Sequence, residues 1–426
     1  MHNISTEGLD RAILVGIELG AAEGISTEES LAELRALTLS AGASVEATVS
    51  QKLRAPDPRT FIGKGKAGEV RELAQRTGAT VVIFDDALSA AQARNLEAEL
   101  KVRVIDRSQL ILDIFALRAR TLEGKLQVEI AQLAYLQPRL TRQWSHLSRV
   151  RGGGSGGGGV GTRGPGETQL EVDRRRLREK LTRLRARLRE VERTRGIQRR
   201  RRLEVPYPTV ALVGYTNSGK STLMNALTGA GVEAANRPFS TLDPTIRSLK
   251  LPGRITVMLA DTVGFIHRLP HGLIDAFKAT LEEVRTASLL VHVVDASSAL
   301  APERIEIVDR VLSEIGAGAT ARVIAMNKCD LAEHPHALAG EHDSVAISAL
   351  SGAGLPALLE TIARHFGGTR EEVAVTLAAS RGDLIAMARR DGEVLSEEYR
   401  DGTVAMRALV SKTVAGRLRK AAIAIA

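Results

Sequence analysis

The stretch TVALVGYTNSGKST, residues 209–222, joins an apolar run to a glycine-rich turn. From Gly214 to Ser221 the spacing is G-x-x-x-x-G-K-S, which is typical of a phosphate-binding loop. Glycines let backbone N–H groups approach the phosphates, Lys220 reaches the β and γ phosphates, and the Ser221 hydroxyl can ligate Mg²⁺. The preceding strand and the following helix-like STLMNALTG supply the required context. We therefore predict a P-loop nucleotide-binding domain.

A second motif ends the predicted strand RITVMLADTVGF, residues 254–265. Its D-x-x-G spacing would bring Asp261 to the metal region and place the backbone N–H of Gly264 at the γ-phosphate. A generic turn at a strand end would not explain this spacing after a phosphate loop. Lys220, Asp261 and Gly264 are accordingly our predicted catalytic residues.

The preferred base of the nucleotide is predicted from RVIAMNKCD, residues 322–330, a stretch that ends in N-K-x-D. The Asp330 carboxylate can accept two hydrogen bonds from a guanine edge, and adenine has no such pair of donors. The motif therefore favours GTP and GDP over adenine nucleotides. Further along, Ser348-Ala349-Leu350 would bring its backbone to the guanine carbonyl oxygen. RPFSTLDPTIR, residues 237–247, is a candidate switch in which Thr241 or Thr245 could complete the Mg²⁺ site; the spacing does not choose between them.

The remaining chain suggests three further parts, for a multidomain α/β protein. Strand-like and helix-like stretches alternate over residues 1–106, which predicts a small parallel α/β domain. Residues 107–203 predict an antiparallel helical hairpin around a glycine-rich tip loop at 152–166, with Pro138 near the end of its first helix. The P-loop GTPase domain would cover 204–367, and 368–426 would form a small C-terminal α/β appendix. The apolar stripes of the hairpin are Leu126, Ile130, Leu133, Leu136 and Leu140, then Leu177, Leu181, Leu184, Leu188 and Val191.

Charge is concentrated in the second helix of this hairpin. Residues 174–202 hold fourteen arginines and one lysine against three glutamates, a net +12 where the whole chain carries +9. Such a basic stripe favours a polyanionic partner over a merely solvated face. Aromatic residues make up only 3% of the chain, so contacts to a folded RNA backbone fit better than base stacking. We expect no leader peptide or membrane span, a single cysteine suited to a reducing cytoplasm, and a monomer.

In these motifs the chain resembles HflX-type GTPases, a branch of the translation-factor-related, Obg-like P-loop proteins. The resemblance is carried by VVIFDDALSAAQARNLE, the block from VIDRSQL to LQPRL, GPGETQLEVDRR, GYTNSGKST, FSTLDPT and DTVGFI. Ala90 stands where the family often has proline, and Ser240 where alanine is usual; neither bears a phosphate or metal role. The resemblance implies a GTPase that binds the large ribosomal subunit and its rRNA, and that splits stalled ribosomes. Its hairpin would reach toward the peptidyl transferase centre.

The resemblance also assigns contacts to individual residues. It places the metal on Ser221 and Thr241, so it decides in favour of Thr241. The implied nucleotide contacts are Gly214, Tyr215, Thr216, Asn217, Ser218, Gly219, Lys220, Ser221, Phe239, Ser240, Thr241, Leu242, Asp243, Asp261, Thr262, Val263, Gly264, Asn327, Lys328, Cys329, Asp330, Ser348, Ala349 and Leu350.

Phe265 stands where well-known GTPases carry the glutamine that orients the attacking water. Phenylalanine cannot form a hydrogen bond, so we expect slow intrinsic hydrolysis and an activator that completes the site. The ring could at the same time simply pack beneath the switch. Asn217 could help to hold K⁺ beside the phosphates, or could merely suit a tight turn. Two other functions stay open: an assembly factor for the large subunit, and an RNA-binding scaffold with a structural nucleotide.

Overall fold

The computed structural model describes residues 10–19, 25–139, 169–203, 207–229, 231, 238–239, 241–242, 244–268, 281–332, 343–367 and 370–425. The predicted tip loop at 152–166, Leu140, Ser240 and Asp243 lie outside these residues. The chain divides into two units. The first comprises Met1–Thr194, Arg237–Asp243 and Arg268–Ala279, and the second comprises Arg195–Asn236, Pro244–His267 and Thr280–Ala426.

The first unit contains a four-stranded parallel sheet in the order β2-β1-β3-β4. Helices α1 and α4 contact each other on one side of this sheet, and α2 and α3 contact each other on the other. The predicted parallel α/β arrangement is confirmed. The elements are β1 Arg11–Leu19, α1 Thr27–Ser40, β2 Ser44–Leu53, α2 Lys64–Thr77, β3 Val81–Phe84, α3 Ala90–Leu100, β4 Arg103–Asp106 and α4 Arg107–Arg118.

Local side-chain chemistry explains where these helices begin. Ser26 and Glu29 form a reciprocal capping box at the start of α1, as its Ser/Thr-and-acid pattern predicts. Ser89 and Gln92 form the same arrangement before α3. The carboxylate of Asp106, at the end of β4, accepts the backbone N–H of Gln109 and so caps α4.

A buried charge cluster lies where β3 and β4 end. The Arg107 guanidinium is only 2% exposed, and it donates to Asp85 Oδ1 at 2.7 Å and to the Glu33 carboxylate. Ser30 Oγ donates to the other Asp85 oxygen at 2.6 Å. Because a buried charge is costly unless it is paired, Asp85 and Arg107 fix each other in place.

Two further helices follow in the sequence, α5 Leu122–Leu136 and α6 Gln169–Leu203. The first unit includes α5 and the part of α6 up to Thr194, and the rest of α6 is assigned to the second unit. A 3₁₀ turn containing Pro138 follows α5 directly, which confirms that the proline ends this helix. On α6 the predicted apolar stripe is the protected face, since Leu181 is buried and the other four members are partly buried. Lys180 pairs with Glu129 at 2.7 Å and so links α6 to α5.

The second unit contains a six-stranded sheet in the order β10-β9-β8-β5-β7-β6, parallel except for β6. This is the predicted P-loop domain. Its elements are β5 Thr209–Val213, α7 Lys220–Thr228, β6 Thr245–Leu251, β7 Ile255–Asp261, α8 Glu282–Arg285, β8 Leu289–Asp295, α9 Ala301–Glu314, β9 Arg322–Asn327, β10 Ser344–Ala346 and α10 Leu355–Gly367.

The C-terminal part folds in the order βαββαβ around an antiparallel sheet, β12-β13-β11-β14, which is a ferredoxin-like topology. Its elements are β11 Arg370–Ala378, α11 Gly382–Asp391, β12 Glu393–Arg400, β13 Thr403–Ser411, α12 Lys412–Ala421 and β14 Ala424–Ile425. At the end of α11, Asp391 accepts the Tyr207 hydroxyl at 2.8 Å. Within the described ranges, no helix combines the length and apolar character needed to cross a membrane.

Candidate nucleotide site

The phosphate loop joins β5 to α7, and two of its glycines are required by contacts. A Cβ at Gly214 would overlap the carbonyl oxygen of Val293 on β8, and one at Gly219 would overlap the side-chain amide of Asn327. Gly219 also has a φ of +95°, which strains any other residue. The loop is thus pressed against neighbouring strand ends, where parallel α/β sheets bind ligands.

Lys220, the first residue of α7, is 6% exposed and points back into this loop. Its ammonium donates to the carbonyl oxygens of Gly214 at 3.1 Å and Tyr215 at 2.8 Å. Burial lowers the pKa of Lys220 to about 8, while the charge of Asp261 acts in the opposite direction. A buried lysine enclosed by phosphate-loop carbonyls is well placed to meet a phosphate anion.

The two groups predicted to lie near the metal are adjacent. Ser221 Oγ donates to Asp261 Oδ2 at 2.8 Å, and Asp261 is fully buried at the end of β7. A hydroxyl and a carboxylate are the hard oxygen donors that Mg²⁺ prefers, so these residues fit the ion. When bound, Mg²⁺ would supply charge neutralisation at the phosphates.

Behind Asp261, the turn Thr262–Phe265 is fastened to the phosphate loop. Phe265 N donates to Gly214 O at 3.1 Å, and Thr216 N donates to Phe265 O at 2.7 Å. The Phe265 ring is 2% exposed, so it is a packed side chain. A Cβ at Gly264 would lie 2.8 Å from Thr216 Cα, which explains why this turn requires glycine.

Asn327, at the end of β9, joins two predicted motifs. Its Nδ2 donates to Ser218 O in the phosphate loop at 2.8 Å, and its Oδ1 accepts Ala349 N at 2.9 Å. The backbone N–H of Ala349 is therefore committed to Asn327 in this structure. The sequence placed Asn327 in the site but did not predict that its amide braces both loops.

The predicted guanine end is more open. Asp330 is exposed, as a carboxylate that receives a base must be, and Leu350 is 84% exposed, whereas Ser348 is fully buried. Cys329 is partly exposed. The Lys328 ammonium pairs with Asp295 Oδ2 at 2.6 Å. Asp295 was not predicted, since nothing in the sequence links it to N-K-x-D.

The candidate switch is divided between the two units: its described residues up to Leu242 fall in the first unit, and those from Pro244 onward fall in the second, where Thr245 begins β6. Phe239, Thr241 and Leu242 are all buried, at 2%, 9% and 3% exposure. The other predicted contacts of the phosphate loop and its neighbouring turn are Tyr215, Thr216, Ser218, Thr262 and Val263, which are buried, and Asn217, which is exposed.

Comparison with known proteins identifies the family. Four family profiles match the chain in sequence order: "GTP-binding GTPase N-terminal" at residues 28–116, "GTP-binding GTPase Middle Region" at 118–202, "50S ribosome-binding GTPase" at 209–328 and "HflX C-terminal domain" at 335–422. The GTPase HflX of Escherichia coli (strain K12) is 48% identical over 84% of this chain and 83% of its own length. The chain belongs to the HflX family of GTPases.

Another relative and a solved structure also match most of the chain. The GTPase HflX of Caldanaerobacter subterraneus subsp. tengcongensis is 44% identical over 96% of this chain and 93% of its own. A GTP-binding protein from Sulfolobus solfataricus, solved in complex with GDP, is 24% identical with a TM-score of 0.43, over 84% of this chain and 98% of that one.

One basic surface of this HflX-family GTPase lies on α6. On α6 the arginines described between residues 175 and 193 are exposed, and the side chains of Arg176, Lys180, Arg183 and Arg187 line a groove with Glu179 and Leu184. We call this groove the α6 basic face. Arg183 approaches Glu179 only to 3.9 Å, so little of its charge is neutralised there.

Proposed function

We propose that this HflX-family GTPase binds the large ribosomal subunit, hydrolyses GTP slowly when alone and rapidly on the subunit, and dissociates stalled ribosomes. The observation that carries the proposal is Phe265. Its ring is buried, its backbone is bonded on both sides to the phosphate loop, and phenylalanine cannot form a hydrogen bond, so this residue cannot orient a water molecule. An activator must then complete the site in trans.

The α6 basic face supports the choice of partner. An exposed row of arginines on one helix suits a phosphate backbone, and the matched profile for residues 209–328 is described as a 50S ribosome-binding GTPase. In this proposal Lys220, Ser221 and Asp261 handle the phosphates and Mg²⁺, and Asp330 selects guanine. Thr241 would be the second metal ligand, and Gly264 would contact the γ-phosphate.

The test is GTP turnover by the purified protein, alone and with isolated large subunits, at fixed Mg²⁺ and K⁺. We expect the subunit to raise turnover by about 10³-fold or more, the scale on which a group supplied in trans completes such sites. Small subunits serve as the control particle. Tight GTP binding without stimulation by large subunits would contradict the proposal.

A second measurement separates ribosome dissociation from a role in assembly. Light scattering of mature 70S ribosomes should fall on addition of the protein with a non-hydrolysable GTP analogue, and Lys220→Ala should abolish the effect. Intact 70S ribosomes together with accumulation of large-subunit precursors in a deletion strain would instead support the assembly role.

A further inference from the structure

The side chain of Tyr215, the second residue of the phosphate loop, packs against α9. Its ring is 4% exposed, and it lines a small cavity together with Arg304 and Ile305. The guanidinium carbon of Arg304 lies 5.0 Å from the ring centroid, which is within the range of a cation–π contact. Arg304 Nε is buried and has no hydrogen-bond partner among the described residues, so the Tyr215 ring is the group that receives this guanidinium.

The hydroxyl of the same side chain reaches the turn that follows D-x-x-G. It accepts the backbone N–H of His267 at 2.8 Å. His267 lies three residues after Gly264, the residue proposed to contact the γ-phosphate. Two backbone hydrogen bonds join Phe265, between them, to the same loop. Of these three hydrogen bonds, the one to Tyr215 is made by a side chain, so it can be removed by substitution.

These contacts restrict the backbone from Gly264 to His267. Gly264 lies directly against the loop, since an added Cβ would be 2.8 Å from Thr216 Cα. A backbone N–H that stabilises charge in a transition state must be in place before the reaction, and a displacement of about 1 Å can cost about 10²-fold in rate. Because Phe265 cannot orient the attacking water, hydrolysis depends all the more on where this backbone is held.

We propose that Tyr215 is a positioning residue for GTP hydrolysis. Its hydroxyl holds the backbone at His267, and thereby the N–H of Gly264, in the geometry that the γ-phosphate requires, while Arg304 holds its ring. The inference rests on the proposed contact between Gly264 and the γ-phosphate, and it does not depend on the ribosome. GDP lacks the γ-phosphate, so the Tyr215 hydroxyl should affect hydrolysis without affecting GDP affinity.

A tyrosine that only maintained the shape of the phosphate loop would behave differently. The Lys220 ammonium donates to the Tyr215 carbonyl oxygen at 2.8 Å, so a distorted loop would displace the lysine that meets the phosphates. GDP and GTP would then both bind more weakly. A fall in the hydrolysis rate at unchanged GDP affinity therefore separates positioning from a general structural role.

The experiment uses Tyr215→Phe in the full chain, which deletes the hydroxyl and keeps the ring beneath Arg304. We expect the single-turnover rate of GTP hydrolysis at saturating protein to fall about two- to tenfold, the worth of one neutral hydrogen bond. GDP affinity, measured by calorimetry, should be unchanged. Tyr207→Phe is the matched control, because it deletes a hydroxyl that donates to Asp391 at 2.8 Å in the same unit; its hydrolysis rate should equal that of wild type.

Hydrogen exchange tests the contact itself. In wild type the backbone amides of Phe265 and His267 should both exchange slowly, since each donates a hydrogen bond to the phosphate loop. In Tyr215→Phe the peptide that covers residues 262–267 should lose the protection of one amide, that of His267. Unchanged exchange in this peptide would contradict the proposed role of the hydroxyl.

A double-mutant cycle tests the part played by Arg304. Arg304→Met removes the positive charge and keeps a long side chain, so the hydrolysis rate should fall about twofold. In a Tyr215→Phe background the same change should cost nothing further, because Arg304 acts on hydrolysis through the Tyr215 hydroxyl. Equal and additive losses would show that Arg304 acts by another route and would overturn its place in the proposal.

Three results would overturn the role of Tyr215: an unchanged hydrolysis rate in Tyr215→Phe, an equal loss of GDP affinity, or the same fall in Tyr207→Phe. Thermal melts identify the folded variants. If Tyr215→Phe does not fold, Arg304→Met alone decides, since a slower rate at unchanged GDP affinity supports the proposal and an unchanged rate overturns it. All these measurements are made without ribosomes. A lack of stimulation by large subunits would therefore contradict the proposed function and leave this result readable.

Discussion

Asn327 and Ser218 are joined by a 2.8 Å hydrogen bond between residues 109 positions apart in the chain. The bond draws the phosphate loop toward the end of β9, and the same side chain accepts Ala349 N on its other side. One amide therefore determines the separation between the loop for the phosphates and the loops for the base.

Replacing Asn327 by alanine should leave the fold intact and weaken nucleotide binding. Two buried backbone groups would lose their partner, at a cost of about 1–3 kcal/mol, which is roughly a five- to 100-fold loss in GDP affinity. Titration with a fluorescent GDP derivative measures this affinity. Asn95→Ala is the control, because Asn95 makes a similar 2.9 Å bond to Arg59 O on an exposed surface. Equal affinities for wild type and Asn327→Ala would show that the brace is dispensable.

Nucleotide affinity should fall in alkaline solution because of Lys220. Burial lowers the pKa of its ammonium to about 8 in the free protein, whereas phosphates favour the charged form. Below pH 8 the lysine is protonated before binding, and above it each binding event must take up a proton. GDP affinity should therefore drop by up to about tenfold per pH unit between pH 8 and the higher pKa of the bound state.

Calorimetry in buffers of different ionisation enthalpy would detect this proton uptake directly. Lys220→Ala should bind weakly and show no such uptake at pH 9. Uptake that persists in that variant would assign the effect to another group.

Stability should depend on pH through Asp113 on α4. Burial raises the pKa of its carboxyl to about 6, although Arg103 and Gln132 favour the ionised form. The pKa in the folded protein lies above the unfolded value of about 3.9. The folded state therefore loses the stability contributed by this carboxyl as pH rises from about 4 to about 6. Asp113→Asn should consequently raise the melting temperature at pH 7.5 relative to wild type, and raise it less at pH 5. Asp401→Asn, which changes a carboxyl in an exposed turn, is the control variant. A larger gain in melting temperature for Asp113→Asn at pH 5 than at pH 7.5 would show that Asp113 is not the group responsible.

The α6 basic face should make binding to the large subunit depend on salt. Each arginine that contacts a phosphate releases counterions, so Arg183→Gln and Arg187→Gln should each reduce the slope of log affinity against log salt by about 0.7–0.9. Arg407→Gln, on the C-terminal sheet, should leave the slope unchanged. Filter binding over a range of KCl concentrations gives the slopes. Identical slopes in all three variants would exclude this face from the contact.

Local features could be predicted from the sequence because each is encoded by residues that are close together in the chain. The phosphate loop, the D-x-x-G turn, the capping box of α1 and the end of α5 at Pro138 all depend on residues within a few positions of one another. Three contacts join distant positions and could not be predicted from any local pattern. They are the hydrogen bonds of Asn327, the Lys328–Asp295 ion pair and the Phe115–Phe239 ring contact.

One strand was missed for a different reason. Glu393–Arg400 is mostly exposed and lies at the edge of the C-terminal sheet, so it shows no regular alternation of apolar and polar residues. The neighbouring strand Thr403–Ser411 is central in that sheet. Its buried alternate positions, Val404, Met406, Ala408 and Val410, form a strand pattern.

The hydrogen bond from Tyr207 to Asp391 sets an order of events during synthesis. Tyr207 immediately precedes β5, yet its partner is made 184 residues later, about 9–37 s at typical elongation rates. All six strands of the P-loop sheet emerge in that interval. The strands of the nucleotide-binding sheet are thus synthesised before Tyr207 has its partner. A chain released early would lack this tether ahead of β5, although β5 would still pair with β7 and β8.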